Sequence, residues 1–280
     1  MGRAMRVVVT GASGFIGNAL VGLLRRQGVD VLALSRRPMP GVVQLSDYSV
    51  APAADVLIHL AQESDRRKVD ESGEVGVLAA QATLQALLAK PFGRIVYASS
   101  AVLYGDATAS PHSPSDSINA EDTYAGLKRH SEVHVLETGR GVVARLSNIY
   151  GPNMAPGNVV SKILGQIPGE GAVEVMDDAP VRDFLWIEDA AAGLATMAVG
   201  EKVGIYNLGA GMGTSIGNLA RLALDVAGQT DRAVKATRPS QRSSHLVLDI
   251  RETTSRWGWQ PETTLREGLK RLLAIKQAQA

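Results

Sequence analysis

The stretch that decides the fold is Thr10-Gly11-Ala12-Ser13-Gly14-Phe15-Ile16-Gly17. Before it runs Met5-Arg6-Val7-Val8-Val9, an apolar segment of the kind that forms a buried parallel strand. After it, Asn18 to Gln27 puts Leu20, Leu23 and Leu24 on one helical face. A glycine-rich turn between strand and helix lets the backbone approach a pyrophosphate, and the free N–H groups at the positive end of the helix hold that anion. The spacing is G-x-x-G-x-x-G, one residue longer at the first gap than G-x-G-x-x-G. Glycines also serve tight turns for geometry alone. It is the strand–turn–helix context that predicts a dinucleotide site here.

Working outward, strand and helix signals alternate. Val29 to Ser35, Val42 to Leu45, Asp55 to Ala61, Arg94 to Ser99 and Val142 to Leu146 read as strands. Val75 to Ala89 and Tyr124 to Thr138 read as helices. Such alternation implies right-handed crossovers and an α/β fold, a Rossmann-type doubly wound parallel sheet. From Gly151 the texture changes to Gly, Pro and Asn clusters and short mixed elements, with a return strand at Gly204 to Leu208. The expected division is residues 1–150 plus returning segments at about 182–209 for the dinucleotide. Residues 151–181 and 210–280 are then a smaller C-terminal substrate-binding lobe.

Composition narrows the classes. The 280 residues suffice for a full core, and a net charge of +1 gives no electrostatic reason to expect nucleic acid or an anionic membrane. There is no cysteine, which excludes disulfides, thiolate metal sites and a cysteine nucleophile. The N-terminus lacks signal-peptide order, and the weakly polar run Ala190 to Val199 is too short to span a bilayer. A cytoplasmic protein is expected.

In doubly wound sheets ligands bind outside the carboxyl ends of the strands. Pattern-breaking residues cluster there: Ser35-Arg36-Arg37, Asp47-Tyr48, Ala61-Gln62, Ser99-Ser100 and Asn148-Ile149-Tyr150. Tyr124 and Lys128, four apart, share a helical face, and Ser99-Ser100 ends the preceding strand. A phenol is a poor acid or base near neutrality, an adjacent ammonium lowers its pKa, and a serine hydroxyl can donate to a developing alkoxide. The three together suit carbonyl–alcohol interconversion with hydride exchanged with a nicotinamide. Three further features have ordinary readings. His130, Glu132 and His134 lack further metal ligands, so no metal site is expected. Trp257 and Trp259 read as packing in the lobe, and His59 as the end of a buried strand.

These residues resemble the extended short-chain dehydrogenase/reductase family, in its nucleotide-sugar epimerase, dehydratase and reductase branch. T-G-A-S-G-F-I-G is similar to the family's cofactor turn, and Asp55 to Ala61 to its D-V-x-x-H-L-A strand. Ser99 to Gly105 resembles S-S-x-x-V-Y-G, Tyr124 to Lys128 resembles Y-x-x-x-K, and Arg145 to Pro152 resembles R-x-x-N-x-Y-G-P. Arg182 to Asp189 resembles R-D-F-x-x-V-x-D, and Tyr206 to Gly209 and Trp257 to Pro261 resemble the late Y-N-x-G and L-G-W-x-P.

The resemblance implies Ser100, Tyr124 and Lys128 as catalytic residues, Tyr124 as acid/base and Lys128 as its ribose-binding partner. It implies a cofactor surface of Gly11, Ser13, Gly14, Phe15, Ile16, Gly17, Ser35, Arg36, Arg37, Asp47, Tyr48, Leu60, Ala61, Gln62, Ser99, Tyr124 and Lys128. The implied substrate contacts are Ser100, Ala101, Asn148, Val159, Arg182 and Arg238. Two departures stand out. The G-D that follows R-P in the family is Ser240-Gln241 here, and the family's helical Asn after the fourth strand is missing, with Gly76 near its place.

The second strand ends Leu34-Ser35-Arg36-Arg37 with no acid to take a ribose 2′-hydroxyl, so NADP is the expected cofactor and NAD the alternative. The expected activity is a 4-keto reductase on a nucleotide-diphosphate sugar. A 4-epimerase using the same residues is the alternative, and a non-catalytic dinucleotide-binding regulator the alternative of another class. A 4,6-dehydratase is disfavoured, because its extra acid pair would fall at Ala101 and Val102. The expected partners are the nucleotide sugar and a second copy of the chain in a homodimer.

Overall fold

The computed structural model describes residues 5–279. The first half runs β1 (Arg6–Thr10), α1 (Phe15–Arg26), β2 (Asp30–Ser35), β3 (Val43–Gln44), β4 (Val56–His59), α2 (Arg66–Leu88), β5 (Arg94–Ser100), α3 (Thr123–Glu137) and β6 (Gly141–Leu146). Then follow β7 (Asn148–Tyr150), α4 (Val159–Gly165), β8 (Val173–Val175), β9 (Val181–Trp186), α5 (Ile187–Val199), β10 (Gly204–Leu208) and β11 (Gly213–Ser215). The chain ends with α6 (Ile216–Val226), β12 (Val234–Ala236), β13 (His245–Leu246), α7 (Arg251–Trp257) and α8 (Leu265–Gln279).

Seven parallel strands form the large sheet in the order β10-β6-β5-β4-β1-β2-β3. The order reverses between β1 and β4, the place where a doubly wound sheet opens a ligand crevice. Side chains alternate along β1: Val7 and Val9 join Leu20 and Leu24 of α1 on one face, and Val8 joins Leu84 and Leu87 of α2 on the other. Both faces are covered, which is why the strand sequences are nearly continuously apolar. The helix expected at Val75 is the second part of α2, whose backbone breaks at Gly73 (φ +58°).

A separate core of Val160, Ile163, Phe184, Trp186, Leu219 and Leu272 lies under the short sheets of the second half. The returning segment divides between the two cores. β10 joins the large sheet and α5 packs on it, whereas β9 pairs with β7, β11 and β13 in a small sheet of its own. The reason is that β9 buries Phe184 and Trp186 in the second core. Trp257 and Trp259 do pack, but beside α5 and the large sheet rather than in the lobe; Trp259 Nε1 donates to the Asp189 carbonyl at 3.1 Å. Among the described residues no helix is long and apolar enough to cross a membrane.

Candidate active site

The turn after β1 is shaped by what it must not carry. A Cβ on Gly11 (φ +74°) would lie 2.8 Å from the Leu60 carbonyl carbon across the β1–β4 crevice. One on Gly17 would meet the Gly11 oxygen at 2.2 Å. Gly14 caps α1 with no side-chain acceptor, and no acid stands in the first turn, so the helix N-terminus is open to an anion. These residues fit a dinucleotide pyrophosphate.

Three cavities follow one another along the carboxyl edge of the sheet. The first, about 320 Å³, is lined by Arg36, Asp47, Tyr48, His59, Ala61, Gln62 and Gly76 among others. The second, about 250 Å³, is lined by Gly11, Gly14, Phe15, Ile16, Gly17, Leu60, Gln62, Ser99, Ser100, Tyr124 and Lys128 among others. Gln62 belongs to both; its amide donates to Ser131 Oγ at 3.0 Å and accepts from the Tyr97 hydroxyl. The third, about 810 Å³, opens beyond Ser64, Ser100 and Tyr124, which form the wall it shares with the second. Asn148 and Arg182 line it, with Arg66, Asp106 and Arg242.

At the end of β2 the Ser13 and Ser35 hydroxyls are hydrogen-bonded at 2.5 Å, and Ser35 Oγ accepts from the Arg37 amide at 2.9 Å. The Arg36 guanidinium lies over the Tyr48 ring, 5.6 Å from its centre, and donates to the Ala61 carbonyl. Both arginine side chains are exposed, and Arg36 lines the first cavity. His59 is buried and held neutral, its pKa pushed down to about 3 by burial and by the nearby Lys128 and Arg36 charges; its Nδ1 is 2.8 Å from Thr10 Oγ1.

The reacting groups sit at the junction of the second and third cavities. Lys128 Nζ donates to the Ala98 carbonyl at 2.9 Å and lies 5.8 Å from the centre of the Tyr124 ring. The expectation that this ammonium lowers the Tyr124 pKa is not met. Burial dominates and raises it, with the Ser100 hydroxyl pulling the other way. The lysine itself is enclosed: burial pushes it down to about 7, against the pull of Glu132. Ser99 lines the second cavity, and its hydroxyl donates to Glu132 Oε1 at 2.5 Å.

Three expected substrate contacts lie elsewhere. Ala101 is buried in the turn after β5 against Tyr104 and Leu248. Val159 starts α4 and packs on the second core, with Asn158 capping the helix. Arg238 is exposed and its amide donates to the Met176 carbonyl at 2.7 Å, which holds it outside the cavity. Arg242, four residues on, reaches the cavity instead. The altered Arg238-Pro239-Ser240-Gln241 loop leads directly into it, but no local pattern marks Arg242. His130 and His134 meet edge to face at 4.3 Å on α3, and His134 pairs with Glu137.

A glycine-lined anion cradle, a Ser/Tyr/Lys group and an arginine-lined cavity on one doubly wound sheet define a dinucleotide-dependent enzyme. The model of the NAD dependent epimerase/dehydratase family matches residues 7–209, and the chain belongs to that family. A putative UDP-glucose 4-epimerase of Methanocaldococcus jannaschii is 26% identical, over 95% of this chain and 97% of its own. The solved structure of MoeE5 in complex with UDP-glucuronic acid and NAD is 26% identical with a TM-score of 0.83, covering 98% of this chain and 100% of that one. RMD from Pseudomonas aeruginosa, solved with NADPH, is 25% identical with a TM-score of 0.83, covering 99% and 100%.

Proposed function

We propose that the protein is an NADP(H)-dependent reductase of a 4-keto group on a nucleotide-diphosphate sugar. The observation that carries this reading is the shared wall: Ser100 and Tyr124 face the glycine-cradled cleft on one side and the arginine-lined cavity on the other. Residues 1–150 with returning parts of 182–209 then hold the dinucleotide, and 151–181 with 210–280 complete the sugar side. The bound nicotinamide supplies the hydride. Tyr124 gives its proton to the carbonyl oxygen, and Ser100 donates a hydrogen bond to that oxygen as charge builds on it. Burial holds the Tyr124 pKa up, so the hydroxyl is protonated, as the donor in a reduction must be. Lys128, on the next turn of the same helix, stands 5.8 Å from the centre of the Tyr124 ring and positions the cofactor side of the site, with burial rather than its charge setting the Tyr124 pKa. Arg182, Arg242 and Asn148 suit a diphosphate and a sugar hydroxyl.

The cofactor preference rests on β2 ending in Ser35, Arg36 and Arg37, donors suited to a 2′-phosphate, with no acid to take a ribose hydroxyl. The similar solved structures include one with NADPH and one with NAD, so the preference rests on the β2 end alone. NADP(H) is expected to bind more tightly than NAD(H), and an Arg36→Ala/Arg37→Ala variant to lose that advantage. Titration of both cofactors checks this; tighter NAD(H) binding by the native protein overturns the preference.

A 4-epimerase is the second reading, favoured by the similarity to the putative UDP-glucose 4-epimerase. Incubating the protein with nucleotide sugars and their 4-keto forms separates the two. Consumption of NADPH with the keto sugar is the result expected of a reductase, and epimer formation without added reductant is that of an epimerase. In either case Tyr124→Phe should lower turnover by about 10²–10⁴-fold with little change in cofactor affinity. Near-native turnover in that variant removes Tyr124 from the reaction.

A further inference from the structure

The third cavity holds, between its two arginines, a carboxylate that the proposed reaction does not use. Arg182 and Arg242 both converge on Asp106. Arg242 Nη2 donates to the two carboxylate oxygens at 2.7 and 2.9 Å, and Arg182 Nη2 lies 3.3 Å from one of them. The Ser244 hydroxyl donates to the same carboxylate and accepts from Arg182 Nη2 at 2.8 Å. Two guanidinium groups and a hydroxyl around one two-oxygen acceptor form the donor set that recognises a phosphate. The carboxylate sits in the cavity that opens onto Ser100 and Tyr124.

Two observations show that the cluster is not simply a tie between loops. The loop already has a backbone anchor, since the His245 amide donates to the Asp106 carbonyl at 2.7 Å. The side chain can therefore turn away while the chain path stays. Second, the cavity lining balances itself. Arg66, Arg182 and Arg242 are matched by Asp106, Glu121 and Asp122, with Arg66 and Asp122 paired at 3.3 Å. With Asp106 in place the lining has no net charge to offer an anion. With Asp106 turned out, both arginines lose their carboxylate, and Arg182 stays aimed by its bonds to the Val181 and Ser244 carbonyls and the Ser244 hydroxyl.

We propose that Asp106 is an internal stand-in for the substrate's diphosphate: it holds Arg182 and Arg242 in binding geometry and must be displaced when the nucleotide sugar enters. This rests on the reading of the substrate as a nucleotide-diphosphate sugar. Asp106 thereby sets the affinity of the site and rejects weaker anions. A ligand with one phosphate and few further contacts gains too little to displace it, whereas a diphosphate can engage both arginines. The carboxylate stays charged near neutrality, because the Ser244 hydroxyl and the two guanidinium groups outweigh the opposing effect of burial.

The test is calorimetric titration of UDP-glucose, dTDP-glucose and GDP-mannose into the cofactor-saturated protein and its Asp106→Asn and Asp106→Ala variants. If Asp106 competes with the ligand, removing its charge tightens binding by about two- to tenfold, the range of a partly exposed ion pair or two released. Adding Arg242→Ala to the Asp106→Asn variant should cancel the gain. A merely structural role predicts the opposite direction, because arginines that lose their brace bind less well. Tighter binding by either variant supports the proposal. Unchanged or weaker binding by both, with the native protein binding one of the three sugars, overturns it and leaves the substrate reading intact. No binding of any of the three by the native protein or the variants overturns both.

Discussion

Two arginine–carboxylate clusters lie on either side of the β5 end, and they differ in burial. Beneath Ser99, Glu132 accepts from Arg145 at 3.0 and 2.7 Å, with both side chains almost wholly enclosed (3% and 1% exposed). Arg145 also lies under the Tyr104 ring, 4.8 Å from its centre, and Tyr104 donates to Asn207 Oδ1 at 2.7 Å. In the third cavity, Asp106 (22% exposed) faces Arg182 (23%) and Arg242 (68%). The chemistry is the same and the consequence is not. A buried pair cannot lose one partner without stranding a charge in a medium that cannot solvate it. A wet pair can exchange its partner for a ligand at little cost. Burial fixes the first cluster in place, whereas solvent leaves the second free to rearrange.

Removing one side of the enclosed pair is the harshest way to break the comparison. Glu132→Ala strands Arg145 and should cost about 3–5 kcal/mol of stability. Urea unfolding measures it, and a loss below about 1 kcal/mol would show that the pair is far better solvated than its burial implies.

Lys128 belongs to the same enclosed region and sharpens the contrast through pH. Its pKa is about 7 in the folded chain and 10.5 when unperturbed. Across that window the unfolded chain holds the proton that the folded chain has released, so stability rises with pH, by at most about 1.4 kcal/mol per pH unit. Below the window both states are protonated and the penalty of burying the charge is felt in full. Lys128→Met should remove this rise, leaving the variant most favoured relative to the native protein at the acid end. Parallel stability–pH curves for the two proteins would mean that the lysine is solvated in the folded state.

The smallest effect belongs to the wet cluster. Asp106→Asn should change stability by no more than about 1 kcal/mol, as expected of exposed pairs. A loss comparable to that of Glu132→Ala would erase the distinction between the two clusters.

The same contrast explains what the sequence made legible. The glycine turn, the strands of the large sheet and the Tyr124–Lys128 pair are local patterns, readable because period and spacing lie within a few residues. β10 falls on the expected Gly204 to Leu208. The third cavity is built from residues that meet only after folding. Asp106 lies 76 positions from Arg182 and 136 from Arg242, and no local pattern marks such a meeting. The resemblance pointed to Arg238, because a motif carries a position in a loop and the loop here is altered. Likewise nothing near Ser99 in sequence reveals that Glu132 waits across the sheet to take its hydroxyl. The Tyr124 pKa is hidden from the sequence for a related reason: spacing shows which charge is near, and burial, which dominates, is a property of the whole fold.

One feature of β9 has a mechanical consequence. Successive side chains on a strand point to opposite sides. Arg182 faces the third cavity, while its neighbour Asp183 points inward, fully buried, and accepts from the backbone amides of Ala210, Gly211 and Leu248 at 2.7, 3.1 and 3.3 Å. The Asp183 carbonyl accepts from Asn148 Nδ2 at 3.2 Å. A ligand that pulls on Arg182 therefore pulls on a peg driven into two other segments of the chain. Arg182 is mounted on a rigid bracket rather than a spring, and any tension at the cavity is passed through the molecule instead of being absorbed where it arises.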